Sequence, residues 1–391
     1  MKKILSVLLA MCVMLMTSIT AFAAQTPSTD KVQKQIEGAV AYLTADAESY
    51  GVDQALDFSF LADSGADVSK FADGFIADVK ANLDANNGRI VAAYGESLAT
   101  YGSVITALIA LGEDTTDFYG YNIEESFMAM DPTVVPVTPN YYYNIINGAF
   151  LCDNSDEFIE AICDTYISEF YTMGEGANFY GYGCDNTAYF IAAISLGHFQ
   201  LGKYSDVLND AMTVLNSYAV EGGYCYNPEY GTQPNADSTA LALWANSSYY
   251  GDDADISNPE TLTPHFEKLN SIYADLCGFE GKTTGVFTYD DEDNMYATKD
   301  ALIALSSYYF DVWAQEEINK PDDKEDETKP VAPSQQVTEN QTASTTEKKT
   351  TEKANTSKKS PATGADTAII CTSAALLAAA GVITVLKKKE K

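Results

Sequence analysis

Five aspartates, Asp185, Asp237, Asp290, Asp293 and Asp300, stand where a glycine- and aromatic-containing stretch gives way to an apolar one. Carboxylates in that setting can do acid–base work. A glycoside hydrolase needs two of them about 5–9 Å apart, one to protonate the leaving oxygen and one to act as base or nucleophile. Aromatic residues accompany them: Tyr182, Tyr224, Tyr226, Tyr230, Phe287, Tyr289 and Tyr296. Their ring faces can stack on sugars, and tyrosine supplies contact area at low entropic cost. The competing role is structural, since acids at such positions cap helices and aromatics close the end of a barrel. Catalysis requires a close carboxylate pair with at least one raised pKa, whereas binding requires only an exposed aromatic patch. The sequence favours binding. Its candidate contacts are Tyr224, Tyr226, Asp237, Phe287, Tyr289, Asp290 and Asp293, and no catalytic residue is assigned.

Other chemistries find little support. The chain has two histidines, His198 and His265. His198 lies in an apolar helical run and reads as a packing residue, and His265 follows Pro264 and reads as solvated. No Cys/His cluster has zinc spacing. The acidic run Asp290–Asn294 lacks the central glycine of an EF-hand loop. No metal and no cofactor are expected. Seven cysteines are present. Cys12 and Cys371 fall in the terminal signals, leaving Cys152, Cys163, Cys184, Cys225 and Cys277. They read as buried thiols, with Cys184 and Cys225 placed so that a cross-link between them is conceivable.

The formal charge of −33 is concentrated in residues 24–319, where Arg89 is the sole arginine. Such a field repels nucleic acid and anionic lipid. It also leaves few groups to clamp a diphosphate.

The elements that position these residues are helices. Segments of period near 3.6 dominate residues 24–319. Amphipathic ones run over 31–47, 69–83, 123–130, 155–171, 204–218 and 263–276. Ala-, Leu-, Ile- and aromatic-rich ones run over 53–61, 98–111, 141–151, 187–201, 238–247 and 299–313. Gln54, Ser103, Asn144, Thr187, Thr239 and Asp300 open the second set at spacings of about 41 to 61 residues, which marks a repeat architecture. Helices apolar all round are buried ones. The expected fold is all-α, an (α/α)6 toroid of six inner and six outer helices, with an open helical solenoid as the competing arrangement.

Within this pattern, Gly222-Gly223-Tyr224 … Asp237-Ser238-Thr239-Ala240-Leu241-Ala242-Leu243 and the stretch Gly285–Leu305 resemble the repeat of the terpenoid-cyclase and protein-prenyltransferase α–α toroid. The resemblance implies a fold more than a function. The cyclase acid pattern, Asp-x-Asp-Asp, is not matched by Asp290-Asp291-Glu292-Asp293. The prenyltransferase zinc set and the second domain of cobalamin carriers are missing as well.

The ends carry processing signals. Lys2-Lys3, the apolar run 4–16 and Ala21-Phe22-Ala23 make residues 1–23 a secretory signal peptide. Residues 320–359 are rich in Lys, Glu, Thr, Pro and Ser and lack aromatics, the composition of a disordered wall-spanning linker. Residues 360–391 hold Ser360, Pro361, Ala362, Thr363 and Gly364, then an apolar run of about the ~20 residues that cross a bilayer, then a basic tail. This resembles the LPxTG cell-wall sorting signal of Gram-positive surface proteins, with Ser360 in place of leucine. It implies cleavage between Thr363 and Gly364 and transfer to peptidoglycan by a sortase. The expected partners are therefore sortase, peptidoglycan and an extracellular glycan or protein. Nucleic acid is not expected, and the membrane is met only through the C-terminal span before sorting. The expected role is a non-catalytic toroid displayed on the wall for binding or adhesion. The alternative is a surface glycoside hydrolase or polysaccharide lyase.

Overall fold

The computed structural model describes residues 26–172, 178–179, 183–249 and 259–319. The expected signal peptide, linker and sorting motif Ser360–Gly364, and Tyr182, lie outside the described residues. Among those described, twelve α-helices follow one another: α1 (Thr29–Leu43), α2 (Ala55–Ala62), α3 (Ser69–Ala85), α4 (Leu98–Ala110), α5 (Ile123–Met128), α6 (Tyr141–Phe150), α7 (Asp156–Phe170), α8 (Cys184–Leu201), α9 (Ser205–Asn216), α10 (Ala236–Ser248), α11 (Pro259–Cys277) and α12 (Met295–Asn319). Three two-stranded antiparallel hairpins interrupt them: β1–β2 (Tyr171–Thr172, Asn178–Phe179), β3–β4 (Ala219–Val220, Gly223–Tyr224) and β5–β6 (Thr288–Tyr289, Glu292–Asp293).

The fold is an all-α toroid of two layers. The even-numbered helices form the inner ring, each packing on the next even one. They are buried nearly all round: every residue of α10 except Asp237 is buried. The odd-numbered helices lie outside and bury one stripe. In α9 that stripe is Leu208, Ala211, Met212 and Leu215, spaced as one helical face requires. The ring closes where α12 meets α1 and α2. Lys299 of α12 pairs with Asp57 of α2 at 2.5 Å. The start of the chain is bound to its far end through Thr29 and Glu316 at 3.0 Å and through Gln35 and Tyr273 at 2.7 Å.

Neighbouring inner helices meet in two ways. Between α4 and α6 the backbones touch: a Cβ on Gly102 would lie 2.2 Å from the Asn144 carbonyl oxygen, and one on Gly148 would lie 2.3 Å from the Gly102 Cα. Asn144 donates to Ser103 Oγ at 3.0 Å and Asn147 to Thr106 Oγ1 at 3.1 Å. Elsewhere large rings fill the middle. Phe60 of α2 stacks on Tyr143 of α6 at 5.9 Å, and Tyr143 and Tyr189 both set edges against Trp244 at 4.6 and 5.0 Å. These rings plug the centre and leave a cavity of about 20 Å3, room for roughly one water.

The expected helix boundaries agree with the structure within a few residues, but the capping differs. Neither Asp237 nor Ser238 caps α10. Asn235 does, its side chain accepting from Ser238 N at 2.8 Å. Asn294 does the same for α12, accepting from Ala297 N at 3.0 Å. Four residues after each cap, a threonine hydroxyl reaches back to the preceding aromatic segment: Thr239 accepts from Tyr224 N at 2.9 Å and Thr298 from Phe287 N at 3.0 Å. The residue matching Thr239 in the last unit is thus Thr298, not Asp300, a shift of two positions from the sequence alignment.

Candidate functional site

That shift places the acids. Asp185 and Asp237 each lie two residues past the residue that precedes their helix, Gly183 and Asn235 respectively. Asp300 lies six past Asn294. Positions four apart share a helix face, so Asp300 sits on the corresponding face one turn deeper. Because Asn235 and Asn294 do the capping, the carboxylates are not spent on backbone caps. All three are partly exposed to solvent yet ringed by protein.

Their electrostatics follow from that setting. Burial pushes Asp185 up to about 6; the Ser238 hydroxyl, donating at 2.7 Å, works against this, and the Asp237 carboxylate adds to it. Burial also raises Asp237. Asp300 is raised well above the carboxylate range by burial, then by Asp185 and Asp237, with Lys299 opposing. Lys299 is already committed to Asp57. Tyr189, 8% exposed, has its phenol raised by burial and then by Asp300 and Asp185, and its ring meets Trp244 at 5.0 Å. The arrangement is an acidic funnel over an aromatic floor. It holds carboxyls of different proton affinity within electrostatic reach of one another, a setting in which one can donate a proton while another accepts. Among the described residues no group of three or more His, Cys, Asp or Glu is arranged to hold a metal ion.

Beside the funnel runs an open groove of about 330 Å3 between the 226–236 loop and the β5–β6 hairpin. Tyr226, Tyr230 and Tyr289 line it and are 37%, 76% and 51% exposed. Asp290 lines it too. It occupies, with Asp291, the two-residue turn of the hairpin, and both have positive φ (52° and 64°) as a type I′ turn demands. Asp293 is exposed on β6. The backbone joins groove to funnel, because the Tyr226 carbonyl accepts from Cys184 N at 2.8 Å, next to Asp185.

The candidates from sequence thus separate. Tyr226, Tyr289 and Asp290 meet in the groove and Asp237 lies in the funnel. Tyr224 and Phe287 are 4% and 0% exposed and pack in the core, so they have no face to offer a ligand. Tyr230 of the wider aromatic set joins the groove. Tyr143, Tyr189 and Trp244 were not singled out by the sequence, since inside an apolar helix nothing in the order of residues separates a ring facing the centre from one facing a neighbour. The histidines stand aside: His265 is half-buried rather than solvated, and burial with Lys268 lowers it to about 4. Cys184 and Cys225 are free thiols, Cys184 Sγ donating toward the Ser238 carbonyl at 3.5 Å.

No family profile matches the chain, and no curated protein matches it. Among solved structures, one described as a polysaccharide lyase is similar over 75% of this chain and 99% of its own, at 12% identity and a TM-score of 0.47.

Proposed function

We propose that this chain is a cell-wall-anchored surface protein whose toroid binds an extracellular neutral glycan. The observation that supports it most is the groove of Tyr226, Tyr230 and Tyr289, whose exposed rings open beside the acidic funnel. Rings presented to solvent around a cleft suit the stacked faces of sugars. The surrounding carboxylates disfavour phosphates and uronates by like-charge repulsion. The Gly–aromatic units support a toroid of the terpenoid-cyclase and prenyltransferase type. Anchoring rests on Ser360–Gly364 with its apolar run and basic tail. The full chain should be retained on an immobilised panel of neutral glycans and pass through uronate polymers. Loss of retention on the neutral panel, or stronger retention on the uronates, refutes this reading. Thr363→Ala should remove the protein from the covalent wall fraction.

A second reading is glycoside hydrolysis, favoured by the differing proton affinities of Asp185, Asp237 and Asp300. A raised carboxyl would protonate the leaving oxygen while an ionised one activates water or attacks the anomeric carbon. New reducing ends from the same panel, abolished in Asp300→Asn or Asp237→Asn, would decide for hydrolysis over display.

A further inference from the structure

Resting on the glycan reading, we infer that the groove and the funnel are one site for a chain ligand. A neutral oligosaccharide would lie with its inner residues over Asp185, Asp237 and Asp300 and its outer residues between Tyr230 and Tyr289. Three observations carry this. The groove runs into the acids along the chain: Asn235 and Ala236 line it, and the next residue is Asp237. At the other edge Tyr226 O is bonded to Cys184 N, one residue from Asp185, and Gly183 packs so closely that a Cβ there would lie 2.2 Å from the Tyr226 carbonyl oxygen. Gly183 itself contributes no side chain at that edge.

The groove is also furnished for hydroxyls along a chain. Asn227 and Asn235 each use their amide oxygen on a backbone N–H, of Glu229 at 2.9 Å and of Ser238 at 2.8 Å. That leaves their NH2 donors uncommitted among the described residues. Gln233 and the phenols of Tyr230 and Tyr289 are likewise outside the protein's own hydrogen-bond pattern there. Donors alternating with ring faces suit a ligand with an apolar face and a hydroxyl edge, repeated along its length. A phosphorylated or uronate chain would meet Asp290 and then Asp237 and Asp185, with Lys299 already paired to Asp57.

The test is chain-length dependence. Binding of the full chain to neutral oligosaccharides of two and six residues, from α- and β-linked glucan, mannan and xylan series, is measured by calorimetry. In at least one series the six-residue member should bind about tenfold or more tightly than the two-residue member, because the second contact becomes intramolecular. Tyr230→Ala should weaken six-residue binding more than two-residue binding and so shrink that gain. Tyr230 is 76% exposed, and an unaltered helical circular dichroism spectrum confirms the variant folds. Equal affinity at both lengths in every series, or Tyr230→Ala weakening both lengths equally, overturns the continuous site while leaving glycan binding standing. Failure of every series overturns both.

Discussion

The α4–α6 seam and the α8–α10–α12 seams are built from the same kind of helix and have opposite characters. At α4–α6 two glycines bring the backbones together, and two Asn–hydroxyl bonds fix the register. Neither helix carries an acidic or basic side chain. At α8–α10–α12 the rings of Tyr189 and Trp244 meet edge to face, and the first turns of the three helices carry three carboxylates. Close packing yields stability and excludes ligands. Acids gathered at helix starts yield a charged mouth, at the cost of holding like charges together in a low-dielectric setting. One ring thus divides labour around its circumference.

The sharpest way to break this contrast is Gly102→Val. Its side chain would collide with the backbone of α6, which cannot yield as a flexible side chain can. A loss above about 4 kcal/mol or outright failure to fold is expected in urea unfolding. A mild effect would show that the seam is looser than the touching backbones imply.

Asp185→Asn probes the other seam in the opposite direction. Its folded pKa of about 6 lies above the unfolded value, so the folded state binds its proton more tightly. Stability from this group is fully present below about pH 4 and is lost as pH rises through 6. Asparagine keeps an acceptor for Ser238 and removes the charge. The variant should be more stable than the parent by roughly 1–3 kcal/mol above pH 7, allowing for partial solvent screening, and the gap should close below about pH 4. Denaturation midpoints across that range would check it, and a gap independent of pH would count against the electrostatic account.

Ser103→Ala returns to the tight seam and leaves Asn144 Nδ2 buried without its acceptor, at a cost of about 1–2 kcal/mol with little pH dependence. The smallest expected effect on stability is that of Tyr230→Ala, within about 0.5 kcal/mol, in a variant whose long-chain glycan binding should nonetheless weaken. A large destabilisation there would mean the ring packs the loop and is not displayed.

The sequence reveals the layers because burial has a period. Ser103 and Asn144 stand out as openers of apolar runs, and they prove to be hydrogen-bonded partners. With Thr106 and Asn147 at the same separation of 41, they lock α4 to α6 residue for residue. The site is less legible. Asn235 and Asn294 make plain caps, but each is followed within a few residues by acids or hydroxyls that cap equally well on paper, and that ambiguity shifts the last unit by two positions. Phe287 and Tyr289 are two apart, the spacing that puts both on one face of a regular strand, yet Phe287 is buried and Tyr289 is exposed at the hairpin turn. Which of them meets solvent depends on the side taken by α12, a fact about tertiary packing. Tyr230 lies in a loop with no period at all.

The bonds from Thr29 to Glu316 and from Gln35 to Tyr273 also bear on how the molecule takes mechanical load. A pull transmitted through Asn319 enters α12, a helix of the inner ring, and cannot peel it away without also releasing α1. The first described helix and the last share one latch. Fraying from either terminus must open the same contacts, so the ring resists tension as a hoop rather than as a stack of separable units.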